Sequence, residues 1–188
     1  KIHVGNYPFN PKLPIHIGMD FNIDPMSAVI CQEQPNGEIW VVDECILYGS
    51  NTQEITDELT RRYYRQINQI SIYPDPAGNN RNQGRGETSI DILREAGFKS
   101  IYFKRKHPAV QDRINAVNRL FMTAEGTVRL RINETCRRFV DSAEQTIYKE
   151  GSSEVDKSQG KEHEMDAFGY FADFRHPMRK MNILGISI

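Results

Sequence analysis

The chain has little of what marks several common classes of protein. Its 188 residues include only three cysteines, with no Cys-x-x-Cys pair, at Cys31, Cys45 and Cys136. An odd and widely spaced set argues against a disulfide framework and a structural zinc site, and is typical of a reducing cytoplasm. The most apolar stretch, residues 39–48, is too short to span a bilayer and contains two acidic side chains. We therefore expect no membrane-embedded segment.

A strong net charge is also missing. The 24 Lys and Arg residues nearly balance the 25 Asp and Glu residues, so the formal net charge is −1 at pH 7. Any binding to a polyanion must therefore come from local basic patches or from bound metal. With 38% hydrophobic and 26% charged residues, the composition is that of a globular protein with a sizeable core. The chain has no signal-peptide segment and does not begin with Met, so we expect a fragment of a longer protein.

The spacing of apolar residues predicts one α/β domain, with a mixed central sheet of about five main strands flanked by helices. We place it at residues 15–175, after an extended, proline-containing leader at 1–14 and before a tail at 176–188. The predicted strands cover residues 15–21, 27–34, 38–47, 69–73 and 99–104, with a short one at 127–132. The predicted helices begin at residue 51, at 88, at 108, at 133 and at 163. In the third helix, the spacing puts Val110, Ile114, Val117 and Phe121 on the buried face.

Three aspartates carry the clearest chemical signal. Asp20 and Asp75 lie at the ends of apolar runs that read as buried strands, where a carboxylate is costly unless a positive group holds it. Asp166 lies in the last predicted helix, three residues after His163, so both side chains face the same way. If the two strands are neighbours, these carboxylates meet at one sheet edge. The pattern predicts a site for Mg²⁺ or Mn²⁺, with two ions during phosphodiester hydrolysis.

Each residue also has a simpler interpretation. Asp20 could cap a turn, and Asp75 lies between two prolines, where an aspartate often belongs to turn chemistry. Asp166 could be a solvated helix residue, and His163 could be a surface or capping residue. The three contexts taken together favour the metal site.

Several segments resemble the C-terminal nuclease domain of the large terminase subunit of tailed bacteriophages, in an order and spacing that cover residues 15–175. They are Gly18-Met19-Asp20-Phe21, Asp75-Pro76-Ala77-Gly78, Arg113-Ile114-Asn115-Ala116-Val117 and Lys161-Glu162-His163-Glu164-Met165-Asp166-Ala167-Phe168-Gly169-Tyr170. The resemblance implies an RNase H-like fold and a two-metal endonuclease that cuts double-stranded DNA during viral genome packaging. It also implies that Asp20, Asp75 and Asp166 are catalytic metal ligands, and that His163 ligates or orients a metal.

The same resemblance implies a setting for the domain. In the full-length protein it would follow an N-terminal ATPase, and its partners would be the portal protein and the small terminase subunit, at the procapsid in the host cytoplasm. This chain contains no Gly-x-x-x-x-Gly-Lys-[Ser/Thr] segment, so we expect the fragment to bind no ATP.

Basic residues near these segments are candidates for DNA phosphate contacts, which position a duplex without reading its sequence. No helix resembles a base-reading element, so we expect little sequence specificity. Any one of these residues could equally be part of an ordinary solvated surface. The candidates are Arg81, Arg85, Lys104, Arg105, Lys106, Lys157 and Lys161, with Arg129 and Arg131 as a further basic face.

Two other functions stay open. One is a different RNase H-like nuclease, such as a ribonuclease H or a junction resolvase. The other is a non-catalytic module that docks DNA or protein, in which case the aspartates would not converge.

Overall fold

The computed structural model describes residues 2–79, 87–105, 108–145 and 162–177. Within these ranges it contains one seven-stranded sheet and five α-helices. The strands are β1 Val4–Gly5, β2 Ile15–Asp20, β3 Met26–Glu33, β4 Ile39–Leu47, β5 Ile70–Pro74, β6 Ser100–Ile101 and β7 Leu130–Asn133. The helices are α1 Thr52–Tyr63, α2 Ser89–Glu95, α3 Val110–Phe121, α4 Arg137–Gln145 and α5 His163–Arg175, with 3₁₀ segments at Tyr64–Gln69 and Pro76–Asn79.

The sheet is mixed, with the strand order β1-β7-β4-β3-β2-β5-β6. Strands β2, β3 and β4 form an antiparallel meander, and β5 lies parallel to β2 on its other side. The predicted α/β class and mixed sheet are confirmed, and β2 and β5 are neighbours. The pairing matters for function because it brings the ends of these two strands to the same edge of the sheet.

The strand count is higher than predicted. Five strands have four or more residues, as expected, and two short edge strands complete the sheet. The N-terminal segment, which the sequence indicated to be an extended leader, supplies β1 and pairs with β7. The predicted strand at 99–104 shortens to Ser100–Ile101, because it pairs only with β5 at the edge of the sheet. The strand predicted at 127–132 begins three residues later, at Leu130.

The two faces of the sheet are covered by different helices, and each face has its own apolar core. On one face, the side chains of β2 at Ile15, Ile17 and Met19 join residues of α1 and α2. On the other face, α3, α4 and α5 pack on β3, β4 and β7. This alternation along β2 agrees with the sequence pattern, and it directs His16, Gly18 and Asp20 towards α5.

The helix starts follow their local sequences. Thr88 and Asp91 form a reciprocal capping box at α2. The Asn51 side chain caps α1 by accepting from the Glu54 N–H, and the Glu54 carboxylate accepts from the Ser50 hydroxyl. None of the described helices is long and apolar enough to cross a bilayer.

The buried face of α3 was predicted only in part: Val117 is buried and Phe121 packs against the core, as expected. Val110 is 43% exposed, and the buried residues of this helix are Arg113, Ala116, Val117 and Leu120. The helix is rotated relative to the expected face, so that Arg113 lies against α5. The spacing of apolar residues does not predict an arginine on a buried helix face.

Close contact between β2 and α5 depends on Gly18. A Cβ atom at this position would lie 2.1 Å from the carbonyl oxygen of Ala167 and 3.3 Å from the Cα of Phe168. Both are backbone atoms of α5, so the clash could not be relieved by a side-chain rotation. The absent side chain therefore sets the distance between helix and sheet.

We predict that Gly18→Ala lowers the free energy of unfolding by about 1–3 kcal/mol, because overpacking forces α5 away from β2. Denaturant titration measures this change. The matched control is Gly169→Ala, where a Cβ would meet side-chain atoms of Arg113 and Val117 at 3.7–3.9 Å, an ordinary contact distance. Alanine favours the helix by about 1 kcal/mol, so this variant should be at least as stable as the parent. Equal stability of the two variants would contradict the argument.

Stability should also depend on pH through His16. Burial lowers the pKa of His16 to about 4, while Glu33 raises it and Arg175 and His176 lower it. The Nδ1 atom of this ring lies 3.1 Å from the Tyr73 hydroxyl. Because the folded protein binds fewer protons here than the unfolded chain, this contribution to stability is complete above pH 6.5 and is lost as the pH falls towards 4.

The measurement is unfolding free energy against pH for the parent and for His16→Gln. The parent should lose stability more steeply than the variant between pH 6.5 and 4. Parallel profiles would show that His16 does not titrate in this way.

Candidate metal centre

Asp20 and Asp75 are neighbours at one edge of the sheet. Asp20 is the last residue of β2, and Asp75 directly follows β5. The parallel register pairs Met19 with Pro74, and the Asp75 N–H donates to the Met19 carbonyl over 2.9 Å. The two carboxylates are thus positioned by sheet hydrogen bonds. One oxygen of Asp75 also accepts from the Ala77 N–H at 2.9 Å, so the turn interpretation is correct for part of this side chain.

Helix α5 brings the other two predicted residues to the same edge. His163 is its first residue, and its Nδ1 atom lies 3.1 Å from Oδ2 of Asp20. Both residues are buried, and His163 also contacts the Asn22 amide. His163 is therefore not the surface residue of the simpler interpretation.

All four predicted residues line one cavity of about 470 Å³. It is open to solvent and mostly polar, and the remaining lining comes from the β2–β3 connection, α3 and α5. Its lining residues are Asp20, Phe21, Asn22, Asp75, Arg113, Glu162, His163, Asp166 and Tyr170. The structure thus brings together residues that are up to 146 positions apart in the sequence. Their role in metal binding stays a prediction.

The electrostatics of the cavity are those of crowded carboxylates. Burial raises the pKa of Asp20, and the charges of Asp166 and Asp75 raise it further, against the lowering effect of the His163 hydrogen bond. The same hydrogen bond raises the pKa of His163, although burial opposes it. Negative charge concentrated in a half-enclosed cavity favours the binding of cations.

Arg113 supplies a positive charge to this cavity, and the sequence did not predict this role. Its Nη2 atom donates to Oδ1 of Asp166 at 2.9 Å, and its guanidinium lies 4.5 Å from the centre of the Tyr170 ring. Arg113 is 6% exposed. The signals in the sequence were a charged residue within the otherwise helical spacing of α3 and its place in one of the segments that carry the family resemblance. Burial of that charge follows from Asp166, which lies on another element.

The side chains of the four predicted residues are not arranged as a set of metal ligands. Among the described residues, no three His, Cys, Asp or Glu side chains are clustered closely enough to hold a metal ion. Each side chain is instead turned towards a protein partner: Asp20 to His163, Asp75 to Ala77 and Asp166 to Arg113. Binding an ion at this edge would therefore require side-chain rotation, with no change in the strands.

No protein-family model matches the chain, and no curated protein matches its sequence. Solved structures do match. The large terminase of a thermophilic bacteriophage aligns with a TM-score of 0.72 and 18% identity, over 92% of this chain and 42% of that one. The nuclease domain of the P22 large terminase aligns with a TM-score of 0.67 and 17% identity, over 93% and 89% of the two chains. The nuclease domain of the large terminase from bacteriophage SPP1, solved with bound Mn, gives 0.65 and 17%, over 92% and 94%.

The chain has the RNase H-like fold of large terminase nuclease domains. The resemblance seen in the sequence is thereby confirmed at the level of fold. At these identities the likeness establishes architecture and not activity. The chain spans 42% of the thermophilic phage protein, while it covers most of the isolated P22 and SPP1 nuclease domains.

The basic residues predicted to contact DNA are only partly described on this terminase-like nuclease fold. Lys104 lies 2.5 Å from the buried carboxylate of Asp173, and Arg105 is exposed. In the further basic face, Arg129 donates to the Gly37 carbonyl and Arg131 pairs with Glu38, so both have structural partners. The other candidates, Arg81, Arg85, Lys106, Lys157 and Lys161, lie outside the described residues.

We predict that Arg113→Met, measured without divalent metal, lowers the free energy of unfolding by about 2–4 kcal/mol. The substitution removes the Arg113 guanidinium from the partly buried Asp166 carboxylate, which lies near Asp20 and Asp75. Adding Asp166→Asn should recover part of the loss, and a double-mutant cycle measures the coupling. Arg61→Met is the control, because Arg61 is 71% exposed in its pair with Glu58 and should change little. Additive effects of the two substitutions would show that the Arg113–Asp166 pair carries no coupling energy.

Proposed function

We propose that this domain is a metal-dependent endonuclease that cleaves double-stranded DNA, with little sequence specificity, during viral genome packaging. The observation that carries the proposal is the meeting of Asp20, Asp75, Asp166 and His163 around one cavity. Four residues selected from sequence for metal chemistry converge at the strand ends where α/β folds place ligands. The shared fold with phage terminase nuclease domains supports the same interpretation.

The donor set suits a hard divalent cation. Three carboxylates and one imidazole offer mainly oxygen ligands, which Mg²⁺ and Mn²⁺ prefer, and there is no thiolate to favour a softer metal. Asp20, Asp75 and Asp166 would hold the ions, with His163 as a ligand or an orienting partner. When bound, a pair of such ions supplies Lewis acidity and an activated water for phosphodiester hydrolysis. Manganese in the SPP1 nuclease structure is consistent with this choice.

The protein's own contribution is to place these groups before any ion arrives. The β2–β5 pairing fixes the separation of the Asp20 and Asp75 backbones, while the His163 ring holds one oxygen of Asp20. Arg113 restrains the Asp166 carboxylate and, because it lies beside Tyr170, it is itself restrained. The fold thus fixes the positions of these backbones, and the side chains would rotate away from His163 and Arg113 to become ligands.

The cavity also has the shape needed for a polymeric substrate. It opens to solvent instead of enclosing a small molecule, and a duplex phosphate could approach its rim. Arg105, together with the basic residues outside the described ranges, would hold the backbone without reading bases. A packaging role with a motor ATPase, portal and small subunit follows from the family resemblance and forms part of the proposal.

The first test is plasmid cleavage with Mg²⁺ or Mn²⁺ by the parent and by Asp20→Asn, Asp75→Asn and Asp166→Asn. Each variant should lose at least about 100-fold in rate, because it removes a charged ligand. Asp57→Asn is the matched control: Asp57 is an exposed residue of α1 that accepts a hydrogen bond from Gln53, and its replacement should leave the rate unchanged. Chelation should abolish cleavage. Activity that survives both chelation and Asp20→Asn would refute the proposal.

The same assay separates the alternatives. Plain duplex, RNA–DNA hybrid and a four-way junction are supplied side by side at equal concentration. Preference for the hybrid or the junction would favour the ribonuclease H or resolvase interpretation. Tight DNA binding without cleavage of any substrate would favour a docking module.

A further inference from the structure

A second cavity, of about 350 Å³, lies on the same side of the sheet as the metal centre but at the opposite end of α5. It is lined by His16, Ser71, Tyr73, Tyr102, Phe174 and Arg175. None of these residues has a role in the chemistry described above. We refer to it as the aromatic pocket.

Three aromatic rings form the walls of this pocket. Tyr73 and Tyr102 are stacked with centroids 5.8 Å apart and an interplanar angle of 28°, and Phe174 lies 5.7 Å from Tyr102. Tyr73 is buried, whereas Tyr102 is 43% exposed and Phe174 is 37% exposed. Exposed ring faces beside a buried one provide a surface on which another flat ring can stack.

The inner part of the pocket offers hydrogen-bonding groups. His16 is 7% exposed, and its Nδ1 atom is bonded to the Tyr73 hydroxyl. Because burial lowers the pKa of His16 to about 4, the ring is neutral at pH 7 and one nitrogen can accept while the other donates. The Ser71 side chain, which also lines the pocket, adds a further polar group.

The charge of the pocket is balanced within the protein. The Arg175 guanidinium forms two hydrogen bonds to the Glu33 carboxylate, at 3.0 and 3.1 Å. The pocket therefore presents no unpaired cation to attract a simple anion. Flat aromatic walls, neutral donors and acceptors, and a paired guanidinium at the rim favour a ligand that is planar, aromatic and polar.

We propose that the aromatic pocket binds a nucleobase. The base would stack on the exposed rings of Tyr102 and Phe174, with its polar edge towards His16 and Ser71. The volume of the pocket accommodates a single base with part of its sugar. Stacking tolerates every base because each has a π-face, so the pocket should show only modest preference among them.

The position of the pocket connects it with the proposed nuclease. His16 precedes Asp20 by four residues on β2, and Arg175 follows Asp166 by nine residues on α5, and both spacings correspond to about 13 Å. A small cleft between them shares Tyr170 with the lining of the metal centre and shares Tyr102 and Phe174 with the aromatic pocket. On the proposed function, the pocket would receive an unpaired base a short distance along the strand from the cut.

The base could belong to a free nucleotide or to an unpaired position in a nucleic-acid strand, and binding assays distinguish the two. The complete 188-residue chain is titrated, in EDTA, with the four deoxynucleoside monophosphates and with deoxyribose 5-phosphate as a base-free probe. It is also titrated with a DNA hairpin that has a five-nucleotide single-stranded overhang and with the same hairpin made blunt. EDTA removes cleavage from the measurement, so this result is independent of whether the domain is a nuclease.

We expect at least one base-containing probe to bind more tightly than its base-free or blunt counterpart. Tyr102→Ala and Phe174→Ala should each weaken that binding about 5-fold or more, while Phe174→Tyr retains the ring and should retain binding. Tyr64→Ala is the matched control, because Tyr64 is an exposed tyrosine, 59% accessible, that lies outside the pocket. Circular dichroism confirms that each variant is folded.

Each outcome is decisive. Tighter binding of mononucleotides alone identifies a free-nucleotide site, and tighter binding of the overhang alone identifies an unpaired-base site. Equal binding of the base-free and base-containing probes would overturn the proposal, as would equal weakening by Tyr64→Ala. Wild-type affinity in both Tyr102→Ala and Phe174→Ala would place the base elsewhere.

Discussion

The contact between the backbone of β2 at Gly18 and the backbone of α5 at Ala167 is the constraint on which the rest of the site depends. A helix normally stands off a sheet by the thickness of its side chains. Here the missing Cβ of Gly18 removes that thickness at one point, two residues before Asp20 and within one turn of Asp166. The first turn of α5 is therefore held close enough for His163 to reach Asp20, and a carboxylate from the helix can join two from the sheet.

This close approach concentrates carboxylates in one place, and the fold puts two basic side chains beside them. Arg113 carries a permanent charge and neutralises Asp166 from a neighbouring helix. The hydrogen bond to Asp20 raises the pKa of His163, which favours the protonated form of the ring beside that carboxylate. The site thus has one permanently charged group and one titratable group beside its carboxylates. Binding of a divalent cation would compete with both basic groups for the carboxylates.

Much of the fold could be predicted from the sequence because many of its helices and strands have a recognisable local pattern of residues. The alternation along β2, the Thr88 capping box and the apolar run before Asp75 each predict their own element. The edge strands β1 and β6 were missed or mis-sized because two residues give no periodicity, and they exist only where a neighbouring strand offers free hydrogen-bonding groups. The three aspartates could be selected as candidates, but the role of Arg113 depends on a partner 53 residues away, and nothing in its local sequence encodes that distance.

Helix α5 is anchored at both ends to the same sheet, through His163 and Asp20 at its start and through Arg175 and Glu33 at its finish. A helix held in this way cannot slide by even one residue, 1.5 Å, without breaking one anchor or the other. The number of residues between the two ends of α5 is therefore fixed by these two contacts. A single residue added between Asp166 and Arg175 would rotate one end of the helix by about 100° and separate one of the two anchors from its partner.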